Sequence, residues 1–469
     1  MSILQSIFRF LNRDIISEFK NIPGPTPSFP LGNLDMILGK NPWEVTSKFL
    51  KEYGPIAVIW FGNSPNVVIN SPELFKEVLD KDWLDYYKDS PVKQLKPVIT
   101  PYTPFIANQP YWKQMRKNNP FSSEWFPIWL KDQVSPMFEF GALRMNELQN
   151  LSNSQAINLT EQLQKYSFDA FSIAVVGKLL PKIQYSRFCE LGDVGSRRLT
   201  NPLILPFVLD PFFYLKRKEW LGYFENEITN SLNEPNPSSR SLISYGNNKG
   251  VHIASDDLTG NTAGVFYGGV YSVTSVLASA IWFLSQPENS EYEKNLILEL
   301  KPIQKLKNLD ELNLEKFPLL HKVLLESLRI FPAVPFYSRN SSKEAYVFLG
   351  GHRLPKDTQV IISNYALHRL EEHWHDAEKF EPNRWDEDTI RKNPLGSDYF
   401  FPFGKGPRAC MGMPFAMTFL KTSLAMFYSQ FKFIPDKKAT YEQGFHFGVM
   451  MPKGIRGKIV SHNVGKEIK

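Results

Sequence analysis

Cysteine is almost missing from this chain: only Cys189 and Cys410 occur among 469 residues. A disulfide framework is excluded as the device that holds the fold, and a reducing compartment is the simpler setting. Blocks of like charge are missing too. Lysine and arginine number 54 against 48 aspartate and glutamate, a net charge of +6. Their scatter excludes a nucleic-acid arm, so no nucleic-acid partner is expected, while a modest basic face toward an acidic protein stays open. The N-terminus lacks an uncharged span. Arg9, Arg13, Asp14, Glu18 and Lys20 interrupt the helically spaced Leu4, Ile7, Phe8, Leu11, Ile15 and Phe19, which excludes a transmembrane helix there. Two readings of residues 1–21 remain: an interfacial helix making peripheral membrane contact, or a helix packed on its own domain. No repeat, low-complexity tract or composition shift marks a linker. The expected organisation is an amphipathic segment, 1–22, followed by a single domain, 23–469.

What is present is apolar: 42% hydrophobic and 14% aromatic residues, enough for a large core. Pro23, Pro25, Pro27 and Pro30 make IPGPTPSFPLGN an extended strap, because each lacks an amide donor and restrains its predecessor. IAVIWFG (56–62) and NVVIN (66–70) flank Asn63-Ser64-Pro65 and predict a hairpin. A strand over 358–362 and a C-terminal pair around Phe445 to Val460 complete the visible β content. The stretch 260–284, GNTAGVFYGGVYSVTSVLASAIWFL, predicts a central helix ended by Gln286-Pro287, and 317–331 a second helix stopped by Pro332. The fold class is mainly α with small β sheets.

Chemistry concentrates in FPFGKGPRACMGMPFAMTFLK, residues 401–421. Gly404 and Gly406 permit backbone torsions closed to other residues, so the loop can turn tightly and present one side chain, Cys410. A helical pattern follows, opened by Gly412 and Pro414, and amides at a helix N-terminus favour thiolate over thiol. Such a sulfur suits an iron that takes electron density from its ligand.

This segment resembles the heme-binding loop of the cytochrome P450 superfamily, Phe-Gly-x-Gly-x-Arg-x-Cys-x-Gly, met at Phe403, Gly404, Gly406, Arg408, Cys410 and Gly412. The resemblance spans about residues 23–460. It implies heme b (iron protoporphyrin IX) held between the central helix and the helix after the cysteine loop, with Cys410 as axial metal ligand and Arg408 on a propionate. Trp112 and Arg116, and Arg339, match the family's other propionate contacts. Glu326 and Arg329, three apart on one helical face, would be joined by Arg384 as structural supports of the heme loop.

The central helix departs from the family. Where the family carries Ala/Gly-Gly-x-Asp/Glu-Thr, this chain has Gly268-Gly269-Val270-Tyr271-Ser272. The glycines keep a kink beside the iron in play, but Tyr271 stands for the acid and Ser272 for the threonine, and a phenol is a poor proton donor beside a carboxylic acid. The expected reaction is insertion of one oxygen atom from O2 into a small hydrophobic organic substrate. Tyr267 and Tyr271, if they face the pocket, would narrow it; the other reading is packing. Two alternatives follow from the missing acid: an enzyme that uses peroxide, or one that isomerises, dehydrates or oxidatively couples its substrate. A non-catalytic heme sensor or carrier is the third class. Electrons would come from a separate ferredoxin or flavoprotein reductase, with Lys113, Lys117, Lys405 and Lys421 as candidates for its docking face. A monomer in the cytoplasm, or at a membrane surface, is expected. Residues 187–230 and the turn near Met450 are candidates for the substrate pocket.

Overall fold

The computed structural model describes residues 6–7, 10–37, 40–89, 103–117, 120–200, 211–233, 241–248, 255–386, 395 and 397–461. The chain divides into two compact units, the first comprising Met1–Gln94, Arg329–Lys379 and Glu387–Cys410, the second Leu95–Leu328, Phe380–Asp386 and Met411–Lys469.

The first unit is built on the predicted hairpin. Ile56–Phe61 pairs antiparallel with Ser64–Ile69, with Ile56 opposite Ile69. Ser64–Ile69 then pairs in parallel with Gln359–Ile362, which pairs with Tyr337–Ser341, and Tyr86–Tyr87 closes the five-stranded sheet. The hairpin strands read as continuous apolar runs because both faces are covered. Ile56, Val58 and Trp60 join Val67, Ile69, Val360 and Ile362 in one core with Phe75, Val78 and Leu79. Ala57, Ile59, Val68 and Ile361 point the other way, onto Val45, Phe49 and Leu50 of the helix Pro42–Tyr53.

The N-terminal segment is divided in its behaviour. Ile15 and Ile16 pack on the sheet core, Phe19 and Ile22 belong to it, and Phe19 meets Trp60 edge-on at 6.1 Å. Ahead of them Ile7, Phe10 and Leu11 are 48%, 66% and 74% exposed. The packed reading therefore holds for the second half of residues 1–21 and not for the described residues of the first.

The second unit is mainly helical. Its central helix runs Ser255–Leu284, five residues earlier than expected and α-helical throughout, without a π-turn at the glycine pair. Thr262–Leu284 is long and apolar enough to cross a membrane, yet 72% of its most apolar window is buried inside the fold, as befits a core helix. It packs beside the helix Leu159–Phe171, where Thr274 Oγ1 donates to Ser167 Oγ at 3.1 Å, and beside the strand Val449–Lys453, where the Ser275 hydroxyl donates to the Met450 carbonyl. The helix Met413–Gln430 is tied in by the Tyr166–Ser423 hydroxyl pair at 2.9 Å. The expected C-terminal pair is two sheets: the hairpin Glu442–His446 with Val449–Lys453, and Arg456–Ser461 between Phe431–Pro435 and Ile157–Asn158. Met450 is itself a fully buried strand residue, and the turn near it is Phe447-Gly448. Within 187–230, residues 201–210 lie outside the described residues, while Phe188, Trp220 and Phe224 are wholly buried.

Candidate active site

The cysteine loop is a chain of short backbone bonds. Gly404 N donates to the Phe401 carbonyl at 3.0 Å, Ala409 N to Gly406 at 2.9 Å, and Cys410 N to Phe403 at 2.8 Å. Gly404 and Gly406 hold φ of 72° and 69°, torsions that side chains resist. The two differ in what surrounds them. A Cβ on Gly404 would come no closer than 3.8 Å to anything, whereas one on Gly406 would fall 2.0 Å from the Leu79 carbonyl oxygen. Gly406 is thus fixed by close packing against the π-turn Glu77–Lys81 as well as by its torsion. The loop delivers Cys410 with an exposed side chain, three residues ahead of the helix Met413–Gln430, whose first turn closes with Ala416 N on the Gly412 carbonyl at 2.8 Å.

Beside this loop in the first unit, Arg408 and Arg339 line one pocket with Val78, Leu79, Trp83, Tyr86 and Tyr87. Arg339 is buried, and among the described residues its guanidinium meets the Ser338 carbonyl at 2.8 Å and the Tyr337 ring at 5.6 Å, but no carboxylate. Burial pushes its pKa below the ordinary arginine value. A buried cation that meets no acid among the described residues suits the carboxylate of a ligand. The donor set therefore fits heme: a thiol presented on a glycine loop, with guanidiniums in the same unit suited to carboxylates. Tyr337, whose buried hydroxyl has no partner among the described residues, was not singled out from sequence; an isolated tyrosine carries no spacing signal.

In the second unit Trp112 and Arg116 share one face of the helix Tyr111–Lys117, the guanidinium lying 5.9 Å from the indole centre. The central helix has two unlike faces. Gly264, Val265, Gly268, Gly269 and Ser272 are accessible, and from residue 262 to 281 Ser272 is the one polar side chain that is. Its hydroxyl donates to the Gly268 carbonyl at 2.8 Å. The glycines have different reasons. A Cβ on Gly269 would lie 2.2 Å from the Phe171 ring, while one on Gly268 would meet nothing within 4 Å.

Tyr271 does not share that accessible face, and its expected place beside the reacting centre is corrected. It is 0% exposed, stacked on Phe188 at 4.8 Å, edge-on to His446 at 4.6 Å, with its hydroxyl seated over Gly192. Tyr267 stacks between Phe188 and Phe447. The position three residues after Gly268 lies about 300° round the helix, so the same helix that opens Gly268 and Ser272 turns Tyr271 into the core. Burial, with Cys189 and Asp193 nearby, raises its phenol well above the usual value.

The supporting ion pair is present with more partners than expected. Glu326, wholly buried, accepts from Arg384 Nε at 2.9 Å, from the Glu381 amide at 2.9 Å and from Trp385 Nε1 at 3.0 Å. Arg329 donates to the backbone carbonyls of His368, Ala377 and Lys379 at 2.9, 2.7 and 3.1 Å. Of the four lysines, Lys113 and Lys117 are exposed, Lys405 pairs with Asp398 at 3.1 Å, and Lys421 is buried against Glu315 at 2.7 Å, which removes it from any docking face.

Comparison with known proteins accords with this donor set. A family model described as Cytochrome P450 matches residues 22–456. Ferruginol synthase of Salvia fruticosa is 26% identical over 489 residues, covering 93% of this chain and 94% of the relative. Cytochrome P450 3A6 of Oryctolagus cuniculus is 25% identical over 444 residues, covering 88% and 85%. Cytochrome P450 71D18 of Mentha gracilis is 25% identical over 457 residues, covering 88% and 86%.

Proposed function

Since the chain belongs to the cytochrome P450 family and so is a heme-dependent oxidoreductase with a general monooxygenase role, we propose that it inserts one oxygen atom from O2 into a small hydrophobic organic substrate, using Cys410 as its iron ligand. The observation that carries this reading is the glycine loop presenting Cys410 in the unit that also holds Arg339, a buried guanidinium that meets no acid among the described residues. Heme, when bound, supplies the oxygen chemistry. Heme b is the form we assign, because two isolated cysteines leave no Cys-x-x-Cys-His run for covalent attachment. The unbroken family match over 22–456 supports treating 23–469 as one functional domain.

Each residue then has a task. Cys410 would hold the metal through its thiolate, and Phe403 holds the Cys410 amide through its carbonyl. Arg339 and Arg408 in the first unit, and Trp112 and Arg116 in the second, serve the cofactor's carboxylates. Glu326, Arg329 and Arg384 fix backbone and touch no reactant. Gly268 leaves room on the central helix, Gly269 seats Phe171, and Ser272 holds the proton that must reach oxygen, with water as its source. Tyr271 packs. Electrons come from a separate ferredoxin or flavoprotein; exposed Lys113 and Lys117 are our choice for its contact, and charge reversal there should steepen KM for the partner and flatten its salt dependence. We assign a monomer in the cytoplasm, touching membrane through Ile7, Phe10 and Leu11.

A second reading keeps one specific support: the accessible face of the central helix offers a hydroxyl and no carboxylate among the described residues. Use of peroxide, or rearrangement of a pre-oxidised substrate, would need no such acid. The deciding experiment has two stages. A reduced carbon monoxide spectrum with the red-shifted Soret band is expected for the wild type and lost in Cys410→Ala; retention of the band in that variant would overturn the assignment. Turnover with a substrate panel should then require both reductant and dioxygen, and product formed without either would move the chain to the second reading.

A further inference from the structure

His368 is wholly buried and belongs to no part of the chemistry described so far. Its Nε2 lies 3.0 Å from the backbone nitrogen of Phe401. An amide can only donate, so Nε2 carries the lone pair, the ring is neutral and the proton sits on Nδ1. Nδ1 has no partner among the described residues, a desolvation penalty that an apolar ring at this position would avoid. That penalty is retained where the other nitrogen does something a hydrocarbon cannot.

The bond continues on both sides. The carbonyl of His368 accepts from Arg329 Nη1 at 2.9 Å. The carbonyl of Phe401 accepts from Gly404 N at 3.0 Å, and that of Phe403 from Cys410 N at 2.8 Å. Phe401 is itself buried against Phe75, with ring centres 5.7 Å apart, so an unpaired amide there would be costly. Backbone and side-chain bonds thus link buried Arg329, through His368, to both ends of the loop that presents the thiol.

We propose that His368 is a positioning residue for Cys410: its Nε2 lone pair pins the Phe401 amide and so fixes the start of the loop whose other end is the metal ligand. The inference rests on the reading of Cys410 as that ligand. Phe400 packs against the same imidazole at 5.1 Å, so the ring also fills space, and the two roles must be separated by substitution.

His368→Phe keeps the ring and removes the acceptor; His368→Gln places an amide oxygen within reach of the Nε2 position and can accept again. In the full-length holoenzyme, hydrogen exchange of the peptide covering 400–411 should accelerate about tenfold or more in His368→Phe and stay within about threefold of wild type in His368→Gln. The carbon monoxide spectrum should show a several-fold larger share of the unshifted band in the phenylalanine variant, restored in the glutamine variant. Native exchange and a native band in His368→Phe would overturn the proposal, as would equal damage from both substitutions, the signature of packing alone. If the wild type itself lacks the red-shifted band, the ligand reading fails while exchange still tests the pinning of Phe401. Should the phenylalanine variant not fold, lost protection in His368→Gln suffices to reject the idea.

Discussion

Adjacent residues in this chain answer to different demands, and the glycine pair shows it. Gly269 is held by the Phe171 ring, so Gly269→Ala forces a clash inside the core and should lower stability by about 1–3 kcal/mol, read from urea unfolding. Gly268→Ala meets open space and gains helix propensity. That variant should be more stable by up to about 1 kcal/mol while losing turnover, because its methyl occupies the accessible face. Both glycines were visible in the sequence, but not their separate reasons, which depend on Phe171 nearly a hundred positions away. Tyr271 was ambiguous for the same cause: spacing assigns a helical face, and only Phe188, Phe447 and His446 determine that this face is covered. The cysteine loop was legible because its constraint is local, written in backbone torsions. His368 was not, since one histidine among Asn364, Arg369, Glu371 and His373 carries no motif or spacing that sets it apart.

Among elements, the helix Pro318–Ile330 carries a buried charge that depends on a short distant turn, Pro382–Asp386. Glu326→Gln removes the charge that faces the Arg384 guanidinium while keeping the shape, and breaking such a buried pair costs about 3–5 kcal/mol. Loss of folded protein, or a matching drop in denaturation midpoint with unchanged m, is the expected result. The sequence suggested Arg384 and missed Trp385 and the Glu381 amide, because neither belongs to a charge pattern. A second helix, Ser290–Leu300, sets a pH dependence. Burial raises the Glu293 carboxyl to about 7, against which Lys432 acts weakly. A carboxyl whose folded pKa is raised gives stability that is present below about 4.5 and lost as pH rises through about 7. Glu293→Gln should therefore leave the melting temperature unchanged near pH 4 and raise it at pH 8, and a variant less stable than wild type at pH 8 would contradict this.

For the whole molecule, the division within residues 1–21 predicts a sharp boundary. Removing residues 1–11 takes away exposed Ile7, Phe10 and Leu11 and should leave the melting temperature unchanged while abolishing binding to lipid vesicles in a flotation assay. Removing residues 1–22 strips Phe19 and Ile22 from the sheet core beside Trp60 and should cost several kcal/mol, at about 1.5–3 per buried side chain. The hairpin, the central helix and the mainly α class could be read directly; the sheet order could not, because Ser64–Ile69 pairs with a strand that begins at Gln359. That pairing has a consequence in time. Between Ile69 and Gln359 lie 289 residues (359 − 69 − 1), which a ribosome adding ~5–20 residues each second needs roughly 15–60 s to make. For that interval the nascent hairpin holds an unpaired edge and apolar side chains on both faces. Its biosynthesis therefore depends on what shelters it during translation, and a cell that shortens this shelter should lose the protein to aggregation before heme is ever bound.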